Sequence, residues 1–176
     1  MKKCFFIDVD GVLTNGTKIY SDNGMPSFKT YYDKDFTALK LLKAMSYDVV
    51  LVSGDDFINK RMAENRNIRF ISSRNLDKAD VIKDYLKKNY NGVDVLTYGI
   101  GDDIFDFSML EFVDIPYCPS DASLYIKQYF ENTNGIVLKS KGGEGCIQEI
   151  SEGLEGYGMN DEIYTRILEL DQNEKF

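Results

Sequence analysis

Short apolar runs alternate with longer amphipathic stretches along this chain, and the alternation predicts strands separated by helices. Cys4–Ile7 is the first apolar run. It is too short to cross a membrane and reads as a buried strand. Further strands are expected at Asp48–Val52, Arg69–Ser72, Val93–Ile100, Phe112–Cys118 and Gly135–Leu138. Helices are expected at Phe36–Met45, from Ser53-Gly54-Asp55-Asp56 to about Asn65, at Asp77–Asn89, after Asp106 to about Leu110, at Asp121–Phe130, and from Gly142 to about Leu154. Phe36, Leu39 and Leu42 form the inner side of the first helix, and Val81, Ile82, Tyr85 and Leu86 that of the third. Asp35 and Ser120 are the expected N-caps of the helices that follow them, and Asn91-Gly92 ends the third. Asn23-Gly24, between two segments holding Tyr, Ile and Phe, signals a hairpin within residues 15–32. Past the glycine break at Gly156 and Gly158, a tail (157–176) carries Ile163, Ile167 and Leu170 at helical spacing.

Strands alternating with helices predict parallel βαβ units and an α/β fold, a doubly wound Rossmann-like parallel sheet in one domain spanning residues 1–176. The hairpin leaves this sheet just after the first strand. In such sheets ligands bind beyond the carboxyl ends of the strands. Those ends carry Asp8 and Asp10, Ser53, and Asp102 and Asp103.

Composition narrows the function classes. The net charge of −8 argues against a nucleic-acid binder, which needs a basic footprint. No long apolar segment predicts a membrane span, and Met-Lys-Lys leads directly into the first strand, so a cytoplasmic protein is expected. Cys4, Cys118 and Cys146 are widely spaced; Cys4 and Cys146 read as buried thiols rather than bridges or zinc ligands. The chain has no histidine, which excludes histidine triads, histidine metal sites and histidine acid–base catalysis.

Asp8 and Asp10 lie one residue apart at the end of an apolar strand, so on an extended chain their side chains leave on the same side. Carboxylates held together in that setting repel, and either a proton or a cation must relieve them. Taken alone, the stretch is also ordinary turn chemistry. A second acidic cluster, Asp102 and Asp103, changes the weighing. Four carboxylates at one crevice, without His or paired Cys, suit magnesium, which shares its shell readily with phosphate. In a phosphoryl site Asp8 is the candidate nucleophile, and Asp10 the acid that protonates the leaving oxygen and then activates water. Ser53, at a helix entrance, can hold a phosphate oxygen, and Lys78 can balance charge. Alone, Ser53-Gly54 is a helix cap, Lys78 a surface lysine, and Gly101-Asp102-Asp103 with Asp106 an acid-rich helix start. In this order, each at a strand end, they point jointly to catalysis.

With these motifs the chain resembles the haloacid dehalogenase superfamily of phosphotransferases. Asp8-Val9-Asp10-Gly11-Val12-Leu13-Thr14 is similar to its first motif, Ser53 to the second, Lys78 to the third, and Gly101-Asp102-Asp103 with Asp106 to the fourth. The resemblance implies an aspartyl-phosphate at Asp8. It implies magnesium held by Asp8, the backbone carbonyl of Asp10 and Asp102, with Asp103 acting through a water and Asp106 orienting Lys78. The hairpin in place of a large cap domain, Asp35-Phe36-x-x-Leu39-Lys40-x-Leu42, and Lys141-Gly142-Gly143-x-Gly145-Cys146-x-x-Glu149 are similar to the capless KDO 8-phosphate phosphatase group, with its nonulosonate 9-phosphate relatives. That implies a sugar phosphate substrate and a homotetramer in which a neighbour covers each active site. The octulosonate enzymes usually carry Thr-Gly-Arg at the second motif; here it reads Ser53-Gly54-Asp55. The nonulosonate phosphatases tend to an acid there, which makes Asp55 the candidate sugar-binding residue. The stretch Asp33–Lys40 also lacks the glycines usual at that helix start.

Other readings fit less well. A non-catalytic assembly module associated with sugar-nucleotide synthesis would be expected to lose motif residues, and all four motifs are filled. A receiver domain wants an acceptor aspartate after the third strand, where this chain reads Ser72-Ser73-Arg74. A phosphatase for another sugar phosphate or a nucleotide keeps the chemistry and changes only the substrate.

Overall fold

The computed structural model describes residues 1–154 and 157–175. Among these residues, the main sheet has six strands, all parallel, in the order β5-β4-β1-β6-β7-β8. These are β1 (Lys2–Ile7), β4 (Tyr47–Ser53), β5 (Arg69–Ser72), β6 (Val95–Ile100), β7 (Ile115–Cys118) and β8 (Ile136–Val137). A separate antiparallel ribbon joins β2 (Ile19–Tyr20) to β3 (Pro26–Phe28), with Gly24 at positive φ in its turn. The helices are α1 (Asp33–Ala44), α2 (Ile58–Asn65), α3 (Lys78–Tyr90), α4 (Phe107–Phe112), α5 (Leu124–Glu131), α6 (Cys146–Gly153) and α7 (Asp161–Gln172). This is the α/β class the alternation predicts. No described helix is long and apolar enough to cross a membrane.

β1 reads as an unbroken apolar run because the sheet and both helical layers bury it. Phe5 pairs with Val49 on one side and Tyr98 on the other. Its alternating side chains then divide between two cores. Phe5 and Ile7 join the cluster with Leu39, Leu42 and Ile147; Cys4 and Phe6 join Ile82, Met109, Leu110 and Ile126. Each such side chain contributes about 1.5–3 kcal/mol of burial. The chain crosses from β5 at one end of the sheet to β6 on the far side of β1. The carboxyl end of β1 is therefore a topological switch point, where a crevice opens.

Several local expectations are corrected. Asp35 does not cap α1, which starts at Asp33 behind Tyr32 with no side-chain cap. Asp35 is 1% exposed, and its Oδ1 accepts from the backbone N–H groups of Ile147 (2.8 Å) and Gln148 (3.0 Å). It thus caps α6, whose own N-cap, Gly145, has no side chain to do so. Ser123, not Ser120, caps α5, accepting from Ile126 N; the Ser120 N–H instead donates to Ser140 O. Phe112 closes α4 rather than opening β7, and the Val113 N–H still donates to Met109 O. β6 begins at Val95, leaving Val93 exposed. Cys4, Cys118 and Cys146 are buried and free. Of the expected tail, Gly156 lies outside the described residues, while Ile163, Ile167 and Leu170 do lie on one helix, α7.

Candidate active site

The crevice is built from the end of β1 upward. The Asp8 N–H donates to Ile100 O (3.0 Å), so the pairing with β6 carries Asp8 to the rim of the sheet. The chain then turns at once: Val9 O accepts from Val12 N (3.3 Å), Leu13 N (3.0 Å) and Thr14 N (3.1 Å). Thr14 Oγ1 accepts from the N–H groups of Gly11 and Gly16 and braces the turn. Gly11 has φ +90°, and a Cβ there would overlap the carboxylate of Asp102. The loop is backed from far along the chain, where the Gly143 N–H donates to Val12 O (2.8 Å) and a Cβ at Gly142 would collide with Gly11 O.

Lys78, at the start of α3, bridges two of the acids. Its Nζ lies 2.5 Å from Asp8 Oδ1 and 2.5 Å from Asp106 Oδ1, and all three residues are buried. Burial alone would lower the lysine's pKa; Asp8 and Asp106 outweigh it and hold the pKa above the usual range. Asp8 is pushed well above the normal carboxylate range, first by burial and then by the charge of Asp106, with Lys78 pulling the other way. Asp106 Oδ2 accepts from the N–H groups of Asp102 (2.9 Å) and Asp103 (3.1 Å), fixing the fourth-motif loop. Asp102 is pushed up to about 7 by burial, then by Asp106 and Asp103. Asp103 is exposed at the rim.

Asp10 has different partners. Lys29 Nζ lies 2.8 Å from its Oδ1 and 3.0 Å from its Oδ2, and Lys18 lies 3.3 Å away. Asn59 Nδ2 donates to Asp10 Oδ2 (3.2 Å) and to Ser53 Oγ (2.9 Å). Asp55 borders the same cluster. Its Oδ1 accepts from Phe57 N and Ile58 N, and its Oδ2 meets Lys29 at 2.5 Å. Burial works against the charged form of Asp55, but Lys29 and the Phe57 N–H prevail and lower its pKa. Sequence reasoning missed Lys29, Lys18 and Asn59. For Asn59 a signal existed, because it stands in the first turn of the helix that follows Ser53-Gly54-Asp55-Asp56. For the lysines there was none, since a charged residue on a hairpin reads as solvated.

Asp8, Asp10, Ser53, Gly54, Asp55, Lys78, Asp102, Asp103 and Asp106 all line one cleft of about 740 Å³. Carboxylate oxygens of Asp8, Asp102 and Asp106 come within 4.8 Å of one another. Among the described residues Lys78 bridges two of these three acids, and the donors are all hard oxygens. That donor set fits a hard divalent cation.

Comparison with known proteins agrees with this geometry. No family model matches the chain. The 3-deoxy-D-manno-octulosonate 8-phosphate phosphatase of Haemophilus influenzae is 29% identical over 151 residues, 85% of this chain and 81% of that protein. A cobalt-bound structure of the deoxy-D-mannose-octulosonate 8-phosphate phosphatase from the same organism superposes with a TM-score of 0.75 at 31% identity, covering 86% of this chain and 82% of that one. The Moraxella catarrhalis 3-deoxy-D-manno-octulosonate 8-phosphate phosphatase, in complex with magnesium, phosphate and KDO, shares the fold at a TM-score of 0.73 and 23% identity, over 97% of this chain and 90% of that one. The chain belongs to the haloacid dehalogenase superfamily of phosphatases, in its capless KDO 8-phosphate phosphatase-like group.

Proposed function

We propose that this chain hydrolyses the phosphomonoester of a 3-deoxy-ulosonate or nonulosonate sugar phosphate through an aspartyl-phosphate at Asp8. The observation that carries the reading is the placement of Asp8. It sits at the rim of β1, bridged to Asp106 by Lys78, with the carboxylate of Asp102 beside it. In this reading Asp8 attacks phosphorus. Asp10 gives its proton to the departing sugar oxygen and then takes one from the attacking water. Ser53 and the backbone N–H groups after it hold a phosphoryl oxygen, and Lys78, held by Asp106, offsets the charge of the phosphoryl group. Asp8, Asp102 and the backbone carbonyl of Asp10 would hold magnesium, with Asp103 acting through a water. When bound, magnesium neutralises the phosphoryl oxygens.

The substrate class rests on the names of the relatives, and Asp55 is assigned to the sugar side of the cleft. The reading treats the chain as one domain, with residues 15–32 as a flap. Ile19, Tyr20, Met25 and Phe28 expose apolar surface on that flap, which supports a homotetramer in which a neighbour closes the cleft. Three free, buried thiols are in keeping with a cytoplasmic setting.

The test is phosphate release with magnesium from KDO 8-phosphate, KDN 9-phosphate, N-acetylneuraminate 9-phosphate, hexose phosphates and nucleotides. One ulosonate phosphate should be turned over selectively. Asp8→Asn should reduce the rate by at least about 10³-fold while the circular dichroism spectrum is unchanged. EDTA should abolish turnover and magnesium restore it. Full activity in Asp8→Asn would overturn the mechanism, and no release from any ulosonate phosphate by folded protein would overturn the substrate class.

A further inference from the structure

Lys29 stands out among the charged residues that the roles above leave unused. Its side chain is wholly buried, with 0% exposure. Its three N–H donors go to Asp10 Oδ2 (3.0 Å), Asp55 Oδ2 (2.5 Å) and Asn59 Oδ1 (2.8 Å), while Asp10 Oδ1 lies 2.8 Å from Nζ but accepts no hydrogen bond among the described residues. Burying an ammonium group so fully is costly, and partners of this quality are what permit it. It lies just beyond β3, on the strand of the flap that returns to the sheet. Asn59 extends the cluster: its Oδ1 also accepts from Tyr31 O–H (3.2 Å), and its Nδ2 reaches both Asp10 and Ser53. The two buried lysines therefore divide the acids of the cleft. Lys78 takes Asp8 and Asp106, and Lys29 takes Asp10 and Asp55. Without Lys29, the described residues that would still meet the Asp10 carboxylate are Asn59, through one amide, and the partly exposed Lys18.

We propose that Lys29 is a positioning residue, which fixes the Asp10 carboxyl where it meets the leaving-group oxygen. The proposal rests on the reading of Asp10 as general acid. A sugar alkoxide must be protonated as it departs, whereas p-nitrophenolate leaves without a proton. Because kcat/KM reports only the steps through phosphoryl transfer to Asp8, the two leaving groups expose the need for the acid, and Asp55→Asn, measured on both substrates, gives the part of any bias that comes from sugar contacts, which the bias of Lys29→Met must exceed.

The experiment measures kcat/KM on the sugar phosphate found in the panel and on p-nitrophenyl phosphate, for the wild type, Lys29→Met, Lys29→Arg, Asp10→Asn and Asp55→Asn. Lys29→Met should lose at least about thirtyfold on the sugar phosphate and no more than about threefold on the aryl ester. Lys29→Arg keeps the charge and should restore only part of the difference. Both substrates are measured on one preparation, so the ratio cancels any inactive fraction. If Lys29→Met does not fold, Lys29→Arg carries the test with an intermediate bias of about threefold to tenfold. Equal losses on both substrates would make Lys29 a purely structural residue and overturn the proposal. A biased loss in Asp10→Asn without one in the Lys29 variants would overturn it alone. If Asp10→Asn itself shows no bias, the acid role of Asp10 fails and the proposal fails with it.

Discussion

At the scale of single residues, burial sets the chemistry. Asp35 is the clearest case away from the cleft. Burial raises its pKa to about 6 despite the backbone donors of Gln148 and Ile147. An acid whose folded pKa exceeds its unfolded value binds its proton more tightly when folded. Its contribution to stability is therefore largest below about pH 4, falls as pH rises from about 4 to 6, and is level above that. Asp35→Asn keeps an oxygen for Ile147 and Gln148 but cannot ionise. The stability of wild type minus that of Asp35→Asn, from urea unfolding, should fall by about 2–3 kcal/mol between pH 4 and pH 7. Asp35→Ala removes the acceptor and should cost about 1–2 kcal/mol across that range. A flat difference between wild type and Asp35→Asn would show that folding leaves the acidity of Asp35 unchanged.

At the scale of elements, glycines decide how closely loops approach. Gly142→Ala would push its new methyl group into the Gly11 carbonyl and displace the turn that carries Asp10. It should cost about 1–3 kcal/mol in thermal or urea unfolding. It should also reduce turnover by about 100-fold, because misplacement by about an ångström suffices for that. Gly153→Ala is the control: it meets open space at the end of α6 and should leave turnover unchanged. The strands were legible in the sequence, because buried parallel strands leave apolar runs, and most of the residues expected in the cleft stand at the carboxyl ends of those runs. What was not legible involves partners distant in sequence. Asp35 serves a helix more than a hundred positions away. The start of α5 behind Ser123 rather than Ser120 is set where the chain is pinned, the Ser120 N–H to Ser140 O and the Ser123 N–H to Asp102 O. Phe112 and Val113 suit a strand or a helix equally until the packing of α4 fixes them. Lys29 is buried only because the ribbon folds back over α2, which no local pattern reveals.

At the scale of the whole molecule, the cleft has walls from β1, β4, β5 and β6 and a partial cover from the ribbon. The ribbon turns inward through Lys18 and Lys29 and outward through Ile19, Tyr20 and Phe28. Phe28 is 67% exposed and pairs with Ile19 across the ribbon. If the outward face joins subunits, Phe28→Asp should convert a tetramer to smaller species in sedimentation velocity and reduce turnover by about tenfold, with the far-ultraviolet spectrum retained. An unchanged sedimentation coefficient would show that this face joins no subunits.

The central place of β1 also governs how the chain must be made. Ribosomes deliver Cys4–Ile7 before either strand that covers them, and the second of those, β6, ends at Ile100. At ordinary elongation speeds, this apolar segment beside Asp8 waits roughly 5–20 s for its partner. The Gly142-Gly143 brace emerges later still. The nascent chain thus carries an unpaired apolar strand until β6 is made, and the loop after β1 gains its brace only after that. Such long-range pairing slows folding and exposes the chain to aggregation, a cost that the strand order itself imposes.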